Sequence, residues 1–162
     1  MKARNEQDDE FFLREAIRLA DTHMQAKDGG PFGAVIVLNR EIIARGWNRV
    51  TSSNDPTAHA EIDCIRKACS HLKSFDLSGC DLFINCEPCP MCLAAAYWAR
   101  IRSITYAAEQ SDAAAIGFDD VSIYREIGKE VGKRSIPMQQ LLRHEALQTF
   151  KGWEEMEDKT CY

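Results

Sequence analysis

Between residues 32 and 107 short β-branched runs alternate with helical patterns, and that order constrains the fold more than any other feature. Residues 32–38 read Phe-Gly-Ala-Val-Ile-Val-Leu, whose β-branched content predicts a buried strand. Asn39-Arg40-Glu41 predicts a turn and 42–47 a second strand, so the two should pair as a hairpin. Asp55-Pro56 joins an N-cap residue to a proline at the first helical position, which predicts a helix to about His71. Residues 81–85 predict a third strand. Pro88 and Pro90 bracket a helix start that continues through Trp98, and 103–107 predict a fourth strand. Strand, helix, strand, helix, strand in that order predicts parallel strands joined by right-handed crossovers.

Upstream, residues 8–27 carry Phe12, Ala16, Leu19, Ala20 and Met24 at helical spacing, and Gly29-Gly30 ends the run as a C-cap would. Downstream, 121–128 predict a short helix, 135–142 a fifth strand or the start of a helix, and 143–158 a helix with an acid-rich end. The fold class is α/β, a layered sheet with helices on both faces. No repeat, low-complexity tract or linker divides the chain, so one domain over residues 1–162 is expected, within the ~100–200 residues usual for one domain.

Composition removes several function classes. An apolar share of 45% and a charged share of 28% are those of a soluble globular protein, not of a disordered chain. No window approaches the ~18 consecutive apolar residues of a membrane span. The first ten residues lack the apolar stretch of a secretory signal. A net charge of −5 argues against a nucleic-acid partner, which would draw on excess Lys and Arg. Seven cysteines, an odd number, make a poor disulfide framework without an export signal, so a reducing cytoplasm is expected. Intracellular cysteines clustered as tightly as Cys86, Cys89 and Cys92 point instead to a metal or a reactive thiol.

The chemistry concentrates in His59-Ala60-Glu61 and, thirty positions later, in Pro88-Cys89-Pro90-Met91-Cys92. Cys89 and Cys92, three apart, share a helical face and can share a metal. A helix N-terminus favours the thiolate form through its dipole. His59 and Glu61 would diverge by about 200° in mid-helix, but in a first turn both can reach past the open helix end. One His and two Cys make three ligands, the open arrangement of catalytic zinc, and leave Glu61 as a spare carboxylate for proton transfer. Three other arrangements compete: a closed structural site completed by Cys86, an iron–sulfur run, and unligated core residues. The iron–sulfur pattern wants Cys and Pro where Ala96 and Tyr97 stand. Unligated residues would leave the two framing prolines without a purpose.

The combination His-x-Glu and Pro-Cys-x-x-Cys resembles the zinc deaminase signature, and the chain is similar to the cytidine deaminase superfamily. Gly29-Gly30-Pro31-Phe32-Gly33-Ala34-Val35, Asn54-Asp55-Pro56-Thr57-Ala58-His59-Ala60-Glu61 and Cys86 through Cys92 resemble its purine-type members, including the tRNA adenosine deaminases. Gly117-Phe118-Asp119-Asp120, Ile123-Tyr124 and the terminal aromatic Tyr162 resemble the bacterial guanine deaminases among them. The resemblance implies hydrolysis of guanine to xanthine and ammonia on a three-layer α/β/α sandwich with a central mixed five-stranded sheet. It implies one zinc per subunit on His59, Cys89 and Cys92, with Glu61 as proton shuttle. Asn48 and Asp120 fall where the family contacts its base, and Tyr162 where a terminal aromatic closes the pocket. It also implies a homodimer in which the C-terminal segment, about 143–162, is exchanged and closes the partner's pocket.

The residue types suit a guanine base. Its exocyclic amine and N1–H are donors, which a carboxylate such as Asp120 accepts, while O6 and N7 are acceptors, which the NH₂ of Asn48 can serve. Phe32 offers the ring an apolar face. Each has a structural alternative: Asp119 or Asp120 as a helix cap, Asn48 as a turn residue, Phe32 as core, and Tyr162 as a frayed end. Guanosine presents the same base edge and stands as the alternative substrate. A tRNA editor would need a positive path where this chain ends Glu154-Glu155-Met156-Glu157-Asp158. A non-catalytic zinc module would have no use for Glu61.

Overall fold

In the computed structural model, which describes residues 6–161, strands β1 (Gly33–Leu38), β2 (Glu41–Trp47), β3 (Asp81–Cys86) and β4 (Ser103–Ala108) form one mixed sheet ordered β2-β1-β3-β4. The β1–β2 pair is the expected hairpin, with a bulge between Ile36 and Val37. Strand β1 also runs antiparallel to β3, whereas β3 and β4 are parallel. Strands β2, β3 and β4 therefore share one direction, as the strand–helix alternation requires, and β1 runs against them.

Helices cover both faces. Helix α1 (Glu6–Gln25) buries Phe12, Ala16, Leu19 and Ala20, the i, i+4, i+7, i+8 stripe of an amphipathic helix. Phe12 meets Phe83 of β3 at 5.1 Å between ring centroids, within a layer that also holds Val35 and Val37. Burying a side chain such as Phe12 contributes roughly 1.5–3 kcal/mol. On the opposite face, α3 (Ala60–Leu72) and α4 (Pro90–Trp98) pack over Ala34, Ile36, Leu82 and Ile84 with Cys64, Ala68 and Ala96. Gly46 of β2 sets the approach of α3, because a Cβ there would stand 2.2 Å from the Ala60 carbonyl oxygen and 2.8 Å from Cys64 Cβ.

Three expectations change. The helix expected at Asp55-Pro56 starts later, at Ala60, with His59 as its N-cap. Asp55 is occupied in a turn, its Oδ1 accepting from the Thr57 amide (2.8 Å) and hydroxyl (2.7 Å). Two short helices, α2 (Val50–Ser53) and α5 (Gln110–Ala115), arise where no periodicity marks them. A four- or six-residue helix is too short to carry an amphipathic pattern. The sheet has four strands among the described residues, not five: residues 135–142 form neither strand nor helix. A strand exists by its ladder, no partner pairs with these residues, and Pro137 offers no amide donor.

The chain forms two compact units, the first ending at Asp120 and the second running from Val121. The second holds α6 (Val121–Ile127), a 3-10 turn at Val131–Lys133, and α7 (Arg143–Glu155), close to the helices expected there. None of its described residues is buried.

Candidate active site

Two helix N-termini supply a group of side chains that could hold a metal ion. His59 caps α3 and Cys89 caps α4, both in extended backbone conformation, at φ −71°, ψ 157° and φ −65°, ψ 166°. Neither side chain is spent on a capping hydrogen bond, so the imidazole and the thiol project past the helix ends. Pro90 follows Cys89 at the first helical position, where its missing amide costs nothing. His59 Nδ1 lies 3.5 Å from both Cys89 Sγ and Cys92 Sγ, and the three ligand atoms fall within 4.8 Å of one another. Zinc bonds of about 2.3 Å to sulfur and 2.0–2.1 Å to nitrogen place two tetrahedral ligands ~3.6 Å apart, so this donor set fits zinc.

Cys86 stands outside the group. Its thiol donates to the Glu109 carbonyl at 3.7 Å, and burial pushes it up to about 11. That argues against a closed site completed by a third cysteine, and all seven cysteines are free thiols. The two cysteines of this group are driven in opposite directions. Hydrogen bonds from Cys92 and His59 hold Cys89 down at about 4, whereas its bond to Cys89, burial and Glu61 push Cys92 up. His59 is raised by its hydrogen bond to Cys89.

Glu61, in the first turn of α3, is buried at 8% exposure, and desolvation, then the nearby Cys89, raises its carboxyl above the usual carboxylate range. It is thereby predisposed to carry a proton.

These groups open on a cavity of about 730 Å³ whose lining residues all belong to the first unit. Asn48, Phe32, Asp119 and Asp120 line it with His59, Glu61 and Cys89. Asn48 is buried, and its Oδ1 accepts from the amides of Gly30 (3.1 Å) and Val50 (3.2 Å). With the carbonyl occupied by backbone donors, the NH₂ is the end left for a ligand. Gly29 permits this packing, since a Cβ there would meet the Asn48 backbone carbonyl oxygen at 2.1 Å and its Oδ1 at 2.7 Å. Phe32 is both core and wall: it packs on the α3 side of the sheet and lines the cavity. Tyr162 lies outside the described residues.

Four contributors escape a reading of the sequence. Phe118 meets Phe32 edge to face, with ring centroids 4.9 Å apart at 90°. Asn85 accepts from the Gly33 amide and donates to the Pro31 carbonyl, both at 2.9 Å, clamping the segment that carries Phe32. His23 stacks on Trp47 at 3.7 Å and donates to Asp28 at 2.7 Å, pinning the exit of α1 ahead of Gly29. Gln110 donates its side-chain amide to Asp120. Only Phe118 carries a signal, its place in the Gly117–Asp120 motif.

The sequence matches the family described as the cytidine and deoxycytidylate deaminase zinc-binding region over residues 6–108. The chain belongs to this family. It is 52% identical over 153 residues to the guanine deaminase of Bacillus subtilis (strain 168), spanning 94% of this chain and 98% of the relative. The X-ray structure of guanine deaminase from Bacillus subtilis superposes with a TM-score of 0.93 at 51% identity, covering 98% of this chain and 99% of that one. A tRNA-specific adenosine deaminase of Agrobacterium fabrum is 48% identical over 90 residues only, 56% of this chain and 59% of the relative.

Proposed function

We infer that the chain hydrolyses guanine to xanthine and ammonia with zinc held by His59, Cys89 and Cys92. The observation that carries this reading is the convergence in one cavity of the His/Cys/Cys group, the buried Glu61, an amide donor at Asn48 and a carboxylate at Asp120. The near-full-length likeness to a guanine deaminase supports the choice of base over the tRNA adenosine relatives, which match only part of the chain.

Bound zinc supplies Lewis-acid activation of water at neutral pH. The protein supplies the rest. The NH₂ of Asn48 donates to the acceptor edge of the base, O6 and N7, while Asp120 accepts from N1–H and the exocyclic amine. Phe32 and Phe118 flank the ring. Glu61 takes a proton from the attacking water and delivers it to N3, then moves the second water proton to the departing amine. The C2–O bond forms, the C2–N bond breaks, and guanine plus water leave as xanthine plus ammonia. Such a reaction would serve purine breakdown.

The chain further acts as a cytoplasmic homodimer with one zinc per subunit, the segment 143–162 being exchanged so that Tyr162 closes the partner's cavity. Seven free thiols support a reducing compartment, and no described helix is long and apolar enough to cross a membrane. Exposed apolar side chains in the second unit, including Leu141 (71%), Leu142 (69%) and Phe150 (67%), support a covering partner. Removing residues 159–162 should then lower kcat/KM more than the melting temperature.

Ammonia release across a substrate panel tests the reading. Guanine should exceed guanosine, adenine and cytosine. A preference for guanosine would leave the base edge right and the free-base assignment wrong, and a preference for cytosine would contradict both.

A further inference from the structure

We propose that Gln110 is a positioning residue for guanine, holding the Asp120 carboxylate so that one oxygen faces the substrate's N1–H and amine. This rests on the guanine reading above. Asp120 closes a loop that follows α5: Gly117 turns it at φ +97°, and Phe118 anchors it through its amide to the Ala113 carbonyl at 3.0 Å. Nothing in that anchoring sets the Asp120 side chain. Its Oδ1 is set by the side-chain amide of Gln110, the first residue of α5.

Gln110 is itself well placed to hold it. The preceding residue, Glu109, caps α5 in a reciprocal box with Asp112, fixing the first turn. The Gln110 amide donates to Glu87 Oε2 at 3.2 Å, and the Glu87 amide donates to the Ala108 carbonyl at 2.9 Å. The strand end that leads to Cys89 and the loop end that carries Asp120 are thus joined through one glutamine. Gln110, Glu87 and Asp120 all line the cavity. With Oδ1 occupied by an N–H donor, Oδ2 is the oxygen left to accept from the base, and its direction is set before the base arrives.

The consequence is a coupling between two side chains that a merely structural glutamine would not show. Binding of hypoxanthine to the zinc-loaded protein reads it by calorimetry, because hypoxanthine keeps N1–H but lacks the 2-amine and cannot be turned over. Gln110→Ala and Asp120→Ala should each weaken hypoxanthine about ten- to a hundredfold, the range of a hydrogen bond to a charged group. The double variant should bind no more weakly than Asp120→Ala alone. Gln110→Glu, equal in size but facing Asp120 with a second carboxylate, should bind at least as weakly as Gln110→Ala. In Gln110→Ala the KM for guanine should rise more than kcat falls, with zinc content unchanged.

Additive losses in the double variant, or unchanged affinity in Gln110→Ala, would overturn the role of Gln110 while leaving the guanine reading intact. A wild-type protein that neither binds hypoxanthine nor releases ammonia from guanine would overturn that reading and this proposal with it.

Discussion

His59 and Cys89 occupy the same position on two different helices. Each is the extended residue just before the first turn, of α3 and α4 respectively, and His59 Nδ1 stands 3.5 Å from Cys89 Sγ. Cys92, one turn into α4, completes the group at the same distance from the imidazole. The site is therefore a meeting of helix ends, where backbone dipoles favour thiolate. Its geometry depends on how those helices sit on the sheet.

Glu61 is buried beside this group without being one of its three members. Glu61→Gln should retain zinc at the wild-type ratio while kcat falls by about 10²–10⁴, the usual contribution of a positioned proton-transfer group. Metal analysis alongside ammonia release checks it. Full turnover in that variant would remove Glu61 from the chemistry.

Cys86 and Cys92 separate an open ligand set from a closed one. Cys92→Ala should lose zinc affinity, whereas Cys86→Ala should keep it, since its thiol points to the Glu109 carbonyl. Competition with a chromogenic chelator measures both. Equal losses in the two variants would mean that Cys86 belongs to the metal shell.

Gly46 tests the link between the sheet and the metal site. Gly46→Ala forces a Cβ to within 2.2 Å of the Ala60 oxygen, so α3 and with it His59 must shift. Overpacking of this kind costs typically 1–3 kcal/mol. Both the melting temperature and zinc affinity should fall. A variant with normal stability and normal zinc binding would show that α3 is not held by this contact.

Glu15 on α1 receives hydrogen bonds from Arg18 at 2.7 Å and from Arg45 of β2 at 2.8 Å, and these hold its carboxyl down at about 2. Because the folded value lies below the ordinary one, the stabilisation is present above about pH 4.5 and is lost as pH falls toward 2. Partly exposed pairs contribute up to about 1 kcal/mol. Glu15→Gln should thus lower the melting temperature by about 2–4 °C at pH 7 and by much less near pH 2.5. Calorimetry at the two pH values checks the sign, and an equal or larger effect in acid would contradict it.

Much of the fold and most of the candidate metal site are legible in the amino-acid sequence. The β-branched run at Val35–Val37 and the stripe Phe12, Ala16, Leu19, Ala20 mark a strand and a helix because burial demands those periods. The residues His59, Glu61, Cys89 and Cys92 stand out because few chemistries need those types together. Asp55-Pro56 misleads, since an aspartate that can cap a helix can equally close a turn on Thr57. The fifth strand misleads for a different reason: a ladder needs a partner, and residues 135–142 do not carry that partner in their own pattern. Gln110, Asn85 and His23 are invisible in the sequence because each acts through a contact between residues 5 to 54 positions apart, and no local spacing marks such a contact.

The coordination shell of the loaded protein tests the central claim most directly. X-ray absorption at the zinc edge should give two sulfur neighbours near 2.3 Å with nitrogen and oxygen neighbours at about 2.0–2.1 Å, as three protein ligands and one exchangeable position require. A third sulfur, or a shell filled entirely by protein atoms, would contradict the account and leave a structural metal in its place.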